Sequence, residues 1–297
     1  MKKFYAVLAM LLATVLWGFA FSAQSRGMDS VGPLLFVALR SIVGVAALCI
    51  TAACFDLARF KRITFWGSAR TAGERKFLLA GGVYCGLIIS AASTFQQLGL
   101  IHVTAGKTGF LTALYIIIVP LLGGFFKRKT SFLQWAAVLT ALAGAYLLCG
   151  GIGAVGWSEI WVVICALFFA LHIMVIDHYA PSCDCVRLSC IQFMTAAAAA
   201  AIFSLIFAEP WIWQDIVAAL PFWVYCGVGS SAIAFTLQMA AQKYLHPVTA
   251  ALIMSLESVF GVLGGWLFLH ETLSAAELLG CSVIFIAVIF AQLPTRR

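Results

Sequence analysis

Charged side chains are scarce in this chain. Asp, Glu, Lys and Arg make up 10% of its 297 residues, and only 11 residues are acidic. A soluble globular protein carries about 25% charged and roughly 45–50% apolar residues, whereas hydrophobic residues make up 64% here. Because no water-soluble fold of this length hides so much apolar surface, the composition excludes a soluble domain and predicts a membrane protein.

Signatures of enzyme chemistry are missing as well. The sequence has no P-loop and no HExxH pattern, and Gly151-Ile152-Gly153 lies in a predicted outer loop without a nucleotide-binding context. No ATPase domain is evident, so we expect no cofactor, and we expect any pumping to draw on a gradient.

Cysteine is present, with 10 residues, but a disulfide framework is not expected. Most of the cysteines lie inside apolar runs, where cysteine behaves as a small hydrophobe. Cys183, Asp184 and Cys185, with Cys190 and His178 nearby, leave a metal site as an alternative. Their spacing lacks the paired ligands of common zinc sites, so we predict no metal.

Long apolar runs dominate the sequence. A helix rises about 1.5 Å per residue, so about 20 apolar residues cross a hydrocarbon core roughly 30 Å thick. Ten runs have this character: 4–23, 31–55, 77–98, 104–126, 132–151, 157–177, 186–208, 219–241, 247–270 and 274–293. They lack the period of two of barrel strands. The predicted fold class is an all-α polytopic membrane protein with ten transmembrane helices.

The first run also has features of a secretory signal peptide, because it follows a basic start and ends in small residues. Its apolar core is longer than that of a signal peptide, and nine similar runs follow. We therefore interpret it as the first membrane helix.

The basic residues are unevenly placed. With the N-terminus in the cytoplasm, Arg26 is the only Lys or Arg predicted in an outer segment, and Arg40 and Lys107 fall inside runs. All the others lie in inner segments or at the termini, with Arg187 counted at the inner end of the run 186–208. This asymmetry follows the positive-inside rule and predicts a multi-pass protein of the cytoplasmic membrane with both termini inside. It accounts for the net charge of +7 without a nucleic-acid partner.

Two halves of the chain share a pattern. VYCG occurs at 83–86 and again at 224–227, and Gln97 and Gln238 keep the same offset. A shift of one residue aligns Gly123 with Gly265. In the earlier runs, Trp17 aligns with Phe169 and Arg40 with Gln192, and the order of the runs agrees throughout.

The shared pattern predicts two five-helix repeats, residues 1–151 and 152–297. Because five is odd, the second repeat must cross the membrane upside down. Inverted repeats place a substrate site near the bilayer midplane and exchange access from one side to the other. The alternative is a duplication that merely builds a helical bundle.

The sequence resembles the EamA-type families of the drug/metabolite transporter superfamily over essentially its whole length. The resemblance rests on LWGFAF (16–21), LLFVALRSIVG (34–44), GKTGFLTALYIIIVPLLGG (106–124) and the long stretch from AFTLQMAAQKYLHP to LSAAELLG (234–280). It implies ten helices in two inverted repeats. It also implies export or exchange of small metabolites, often amino acids or related compounds.

Ionisable residues inside a bilayer are costly and usually face the interior of a bundle. Glu257 is a candidate proton carrier or ligand for a substrate ammonium, and the resemblance also places an arginine at Arg40, a candidate ligand for a carboxylate. Lys107 is a candidate anion ligand at the cavity mouth. The alternatives are helix contacts, an ion pair of Glu257 with Arg40 or Lys107, and snorkelling to the headgroups.

Buried amides form a second set of candidates: Gln97, Gln192 and Gln238, with Gln96 beside them. Such groups bind zwitterions or cross-link helices. His172 either titrates near physiological pH or is a hydrogen-bonded interior residue, which we favour.

Aromatic residues complete the candidate site. We expect Trp17, Tyr84, Tyr115, Phe169 and Tyr225 to face the centre, where an aromatic wall holds a cation or an apolar group. Lipid-facing aromatics are the alternative.

The predicted function is a secondary transporter that moves a small metabolite by alternating access. Export and proton coupling are expectations, and the oligomeric state stays open. The partners are a small-molecule substrate, protons and the lipid bilayer. Alternatives are an integral-membrane enzyme or lipid-handling protein, against which the shortage of intramembrane carboxylates argues, and a channel.

Overall fold

The computed structural model describes residues 1–125, 130–148, 156–270, 272 and 274–292, and within them the chain is helical without a strand. The helices are α1 (Lys2–Gly27), α2 (Pro33–Phe60), α3 (Ala72–Leu100), α4 (Ala105–Ala113), α5 (Tyr115–Phe125), α6 (Phe132–Leu148), α7 (Trp157–Tyr179), α8 (Cys185–Ile206), α9 (Trp213–Ala218), α10 (Leu220–Tyr225), α11 (Phe235–Gln242), α12 (Pro247–Met254), α13 (Leu256–Leu269) and α14 (Ala275–Gln292). A π-helical segment, Cys226–Ala234, joins α10 to α11.

Eight of these segments are long and apolar enough to cross a membrane, with α4–α5, α10–α11 and α12–α13 each counted as one span. The two shorter apolar helices are α6 and α14. Helices therefore occur at all ten predicted runs, but the predicted membrane length is reached in eight of them. The ends of three runs, at 126, 149–151 and 293, lie outside the described residues.

Local sequence explains where several helices begin. Thr71 and Glu74 form a reciprocal capping box at the start of α3, and the Asp184 carboxylate accepts two backbone N–H groups at the start of α8. Pro33 and Pro247 stand at the first positions of α2 and α12, where the missing proline N–H costs nothing.

Two spans are interrupted at matching places. The α4–α5 span breaks at Leu114 and the α12–α13 span breaks at Ser255. Pro120 lies inside α5, beyond the first break, and the second break has no proline near it. The interruption therefore does not depend on proline.

Close helix packing builds the bundle. α2 packs along α8, α6 along α14, and α3 along α7 and α8. α1 packs against α13, and α7 packs against α4 and α5. A Cβ on Gly18 would stand 2.2 Å from Cβ of Phe260 in α13, and one on Gly86 would stand 2.5 Å from Thr195 in α8. These glycines let the helix backbones approach closely, as small residues do between membrane helices.

Candidate central transport site

A small cavity lies among the interrupted helices at the centre of the bundle. It has a volume of about 20 Å³. Its lining comes from both halves of the chain: Trp17, Phe21, Gln24, Arg40, Gln96, Tyr115, Phe169, Ser230, Phe235, Met254 and Glu257. A cavity of about 10–15 Å³ holds one water, whereas pockets for small molecules measure about 300–1,000 Å³. In this conformation the cavity is therefore too small for a metabolite.

Arg40 supplies the cation of the cavity. Its side chain reaches inward from α2 and the residue is 3% exposed. Nη1 donates to Gln24 Oε1 at 3.1 Å and Nη2 donates to Ser93 Oγ at 2.7 Å, while Nε has no partner. Within the described residues, no carboxylate forms an ion pair with Arg40. Among the described residues, the buried guanidinium is therefore held by neutral groups alone and has no counter-anion.

Glu257 supplies the carboxyl group. It follows the break at Ser255, in the first turn of α13, and is 6% exposed. Tyr115, the first residue of α5, donates its hydroxyl hydrogen to Glu257 Oε1 at 3.0 Å. The two helix breaks thus bring a phenol and a carboxyl group together. The expected alternative pairs of Glu257 with Arg40 or Lys107 do not form among the described residues.

Aromatic rings enclose the space between these polar groups. Trp17 and Phe235 meet edge to face with their ring centroids 4.9 Å apart, and Tyr115 meets Phe169 at 6.5 Å. Trp17 Nε1 donates to the carbonyl oxygen of Ser230 at 3.3 Å, which ties the ring to the π-helical segment. Trp17, Tyr115 and Phe169, three of the aromatic residues expected at the centre, line the cavity.

Of the predicted amides, Gln96 lines the cavity and donates to Thr112 Oγ1 at 3.3 Å. His172 and the other three amides are not among the lining residues. His172 Nε2 is 2.8 Å from Gln192 Oε1, and the imidazole stands edge-on to Phe235 at 5.6 Å. Gln238 donates to Gln242 at 2.9 Å. Gln97 is fully buried, and neither amide atom has a partner in the described part of the chain.

Two predicted residues lie elsewhere. Lys107 donates to Glu159 Oε1 at 2.7 Å, at the end of the bundle where α4 and α7 begin, so its charge is already balanced away from the cavity. Tyr84 is 55% exposed and packs beside Tyr179. The expectation that Tyr84 faces the centre is wrong, because that face of α3 points out of the bundle.

Tyr225 is also off the cavity lining. It is only partly buried, and its hydroxyl donates to the carbonyl oxygen of Leu16 at 3.0 Å. Its ring packs between α1 and the π-helical segment instead of facing the centre.

The sequence did not reveal several residues of the site. Gln24 lies one residue past the end of the first predicted run, and Ser93, Ser230 and Phe235 are ordinary residues of apolar helices. Only three-dimensional packing selects these side chains, although the serines of α3 follow a helical spacing toward Gln97.

The cysteine-rich segment between α7 and α8 does not assemble a metal site in the described residues, where no group of three His, Cys, Asp or Glu side chains converges. Burial raises the pKa of the Cys183 thiol to about 11, so this thiol stays protonated at neutral pH. Asp184 is engaged with the first turn of α8.

Comparison with known proteins identifies the family of this chain. The profile of the EamA-like transporter family matches the chain twice, over residues 4–150 and 156–292. Eight membrane-length helices and these two matches define a multi-pass membrane protein of a transporter family. The chain belongs to the EamA-like transporter family, which implies a lipid bilayer environment and a small-molecule substrate.

Individual relatives agree with the family assignment. The chain is 28% identical to an uncharacterized transporter of Archaeoglobus fulgidus over 299 residues, covering 98% of this chain and 87% of that protein. It is 22% identical to the uncharacterized transporter YoaV of Bacillus subtilis, covering 94% and 93%. A solved crystal structure superposes with a TM-score of 0.76 at 19% identity, covering 97% of this chain and 96% of the other. That likeness concerns the fold.

Proposed function

We propose that this protein is a secondary transporter of the cytoplasmic membrane that exchanges or exports a small zwitterionic metabolite by alternating access. In this proposal ten helices cross the membrane as two inverted five-helix repeats, residues 1–151 and 152–297, with both termini inside. The packing supports the repeats, because α1 meets α13 as α7 meets α4 and α5. Transporters built from inverted repeats hold their substrate between the two halves, and this cavity lies there.

The observation that carries the proposal is the buried Arg40, which forms no ion pair with an acidic residue in the described part of the chain. A charge in a low-dielectric interior is stable only when it is paired and hydrogen-bonded. Gln24 and Ser93 orient the guanidinium and leave Nε without a partner. A substrate carboxylate that enters the cavity supplies the missing anion.

Glu257 completes the recognition of a zwitterion. It lines the same cavity and has one described partner, the Tyr115 hydroxyl. As a carboxylate it receives a substrate ammonium, and as a carboxylic acid it carries a proton when the site is empty. Exchange of an ammonium for a proton at one group couples export to the proton gradient.

The aromatic walls favour a substrate with an apolar or aromatic side chain. Trp17, Phe169 and Phe235 line the cavity between Arg40 and Glu257. Amino acids such as phenylalanine combine both features and are the first compounds to test.

The test is counterflow in proteoliposomes loaded with a panel of amino acids. Wild type is compared with Arg40→Gln and Glu257→Gln, and Tyr84→Phe serves as the matched control because Tyr84 lies outside the site. We expect saturable exchange in wild type and in the control, with loss of proton-driven transport in Glu257→Gln. Absence of exchange for every compound would contradict the proposal and direct the search to lipid handling or enzyme chemistry.

A further inference from the structure

An ion pair buried at one end of the bundle joins α2 to α8. Asp56, near the end of α2, is 1% exposed, and its carboxylate lies 2.6 Å from Arg187 Nη2 in the first turn of α8. The same carboxylate oxygen accepts the backbone N–H and the hydroxyl of Thr64 at 2.7 and 2.8 Å. Arg187 also donates to the Thr64 carbonyl oxygen at 3.3 Å. Arg187, which the sequence suggested only as one of the inner basic residues that set topology, is therefore buried within this cluster.

The loop after α2 closes over this ion pair. Gly67 has a φ of +58°, and a Cβ there would stand 2.8 Å from Arg187 Nε. Only a glycine allows this backbone conformation so close to the guanidinium. The loop, the end of α2 and the start of α8 thus form one packed unit.

A second carboxylate joins the opposite ends of the same two helices. Glu209, three residues after α8, accepts the backbone N–H groups of Leu34 and Leu35 at 3.0 and 2.6 Å. Ser204 in α8 donates its hydroxyl hydrogen to the same carboxylate at 3.1 Å. The first turn of α2 is therefore capped by a charge that follows α8, where the helix dipole favours an anion.

The two clamps correspond to each other. In each, a carboxylate at the end of one helix holds the first turn of the other. Leu35 and Arg187 also keep the sequence offset that relates Arg40 to Gln192. Sliding or tilting of α2 against α8 would separate the buried pair Asp56–Arg187 at one end and the partly buried Glu209 from its partners at the other.

We propose that Asp56, Arg187 and Glu209 are positioning residues that hold α2 and α8 as one rigid frame throughout the transport cycle. The frame fixes the depth of Arg40, which α2 carries into the cavity, while the interrupted helices on either side move. This inference rests on the proposed function for its transport readout, but the rigidity of the frame is measurable without transport.

The chain contains its own reporter of this frame. Cys49 of α2 and Cys190 of α8 have their sulfur atoms 3.6 Å apart. Oxidation by copper phenanthroline removes two electrons and two protons from the thiols and links the helices by a disulfide. The link is tested in wild type, in Asp56→Asn and in Cys190→Ser, which cannot form it. The transport probe is tritiated L-phenylalanine.

The frame predicts rapid disulfide formation in wild type and slower formation in Asp56→Asn, because the thiols separate more often once the clamp is broken. It also predicts that oxidised wild type exchanges substrate as well as the reduced protein does. In Asp56→Asn the KM rises several-fold with little change in kcat, and oxidation restores the KM. The double variant Asp56→Asn/Cys190→Ser is not rescued.

Loss of exchange on oxidation of wild type, with Cys190→Ser unaffected, would show that α2 and α8 move against each other and would overturn the frame. Equal rates of disulfide formation in wild type and Asp56→Asn would overturn it as well. If neither the reduced nor the oxidised protein exchanges phenylalanine, the choice of substrate is at fault, and the rates of disulfide formation still decide the frame.

Discussion

The two halves of the molecule place different chemistry at equivalent positions of the central site. Arg40 of α2 corresponds in the predicted alignment to Gln192 of α8, and one forms the cationic wall while the other is bonded to His172 behind Phe235. Tyr115 corresponds to Glu257, a phenol opposite a carboxyl group. The family profile matches the two halves separately, and the cavity between them carries one cation and one carboxyl group rather than two of each.

One pair of counterparts is in direct contact. Tyr115 and Glu257 share a hydrogen bond of 3.0 Å. Residues exchanged by a two-fold axis touch each other only where they lie close to that axis. The contact agrees with a two-fold axis beside the cavity, as the proposed inverted repeats require.

The halves also differ in backbone. The span Leu220–Gln242 contains the π-helical segment Cys226–Ala234, whereas α3, its predicted counterpart, is a regular α-helix. Short π segments in α-helices occur frequently at functional sites. Here the segment turns the Ser230 carbonyl oxygen toward Trp17, and α3 uses Ser93 to hold Arg40 instead.

Among changes to the residues that differ between the two halves, removal of the Glu257 carboxyl group should have the largest effect on transport. Glu257→Gln keeps the shape and the acceptor for Tyr115 but cannot release a proton. We expect accumulation driven by a pH gradient to be lost while counterflow persists at a raised KM, measured in proteoliposomes with and without the gradient. Gradient-driven transport at the wild-type rate would exclude Glu257 as the coupling group.

Replacement of the cation by its counterpart residue should come next. Arg40→Gln makes the two halves chemically alike and removes a charge-assisted contact worth about 1.5–3 kcal/mol. The KM for a zwitterion should rise about 10- to 100-fold, as measured by initial rates of exchange. Arg40→Lys should recover only part of this loss, because an ammonium lacks the two-pronged geometry. An unchanged KM in both variants would assign Arg40 to packing.

The contact between the halves should contribute less. Tyr115→Phe removes one hydrogen bond to Glu257, worth about 1–2 kcal/mol, and leaves the edge-to-face contact with Phe169 in place. We expect a change of about 5- to 30-fold in transport rate and a shifted dependence of that rate on pH, because the carboxyl group loses a donor. A pH profile identical to that of wild type would show that the hydroxyl does not act on Glu257.

The peripheral ion pair should matter least. Lys107 and Glu159 are partly exposed, and such pairs contribute about 0–1 kcal/mol. Lys107→Met should change the KM by no more than about 3-fold. The double variant Lys107→Met/Glu159→Gln should match wild type, since neither charge is left unpaired. A loss as large as that of Arg40→Gln would place Lys107 on the substrate path.

The long apolar runs were enough to predict the helices, because a continuously apolar run lacks the period of two of a barrel strand. The same runs drew attention to Arg40 and Glu257, since a charge inside such a run has few structural roles. The sequence did not show which face of a helix points inward. Tyr84 was therefore expected at the centre and lies outside, while Gln24 and Ser93 were passed over.

Pairs of distant charges were the other limit. Lys107 and Glu159 are 52 positions apart. Arg187 was counted only among the basic residues that set topology, although it is buried beside Asp56. Such ion pairs depend on which helices pack against each other, and the alignment of the two halves did not predict those contacts. The interruptions at Leu114 and Ser255 were also missed, because no proline or glycine marks them.

The central claim is that Arg40 holds the carboxylate and Glu257 the ammonium of one substrate. It is tested most directly by competition of phenylalanine exchange with 3-phenylpropionate, which lacks the amine, and with phenethylamine, which lacks the carboxylate. We expect Arg40→Gln to weaken inhibition by 3-phenylpropionate and to leave inhibition by phenethylamine unchanged. We expect Glu257→Gln to weaken inhibition by phenethylamine and to leave inhibition by 3-phenylpropionate unchanged. Equal losses for both inhibitors in each variant would contradict it.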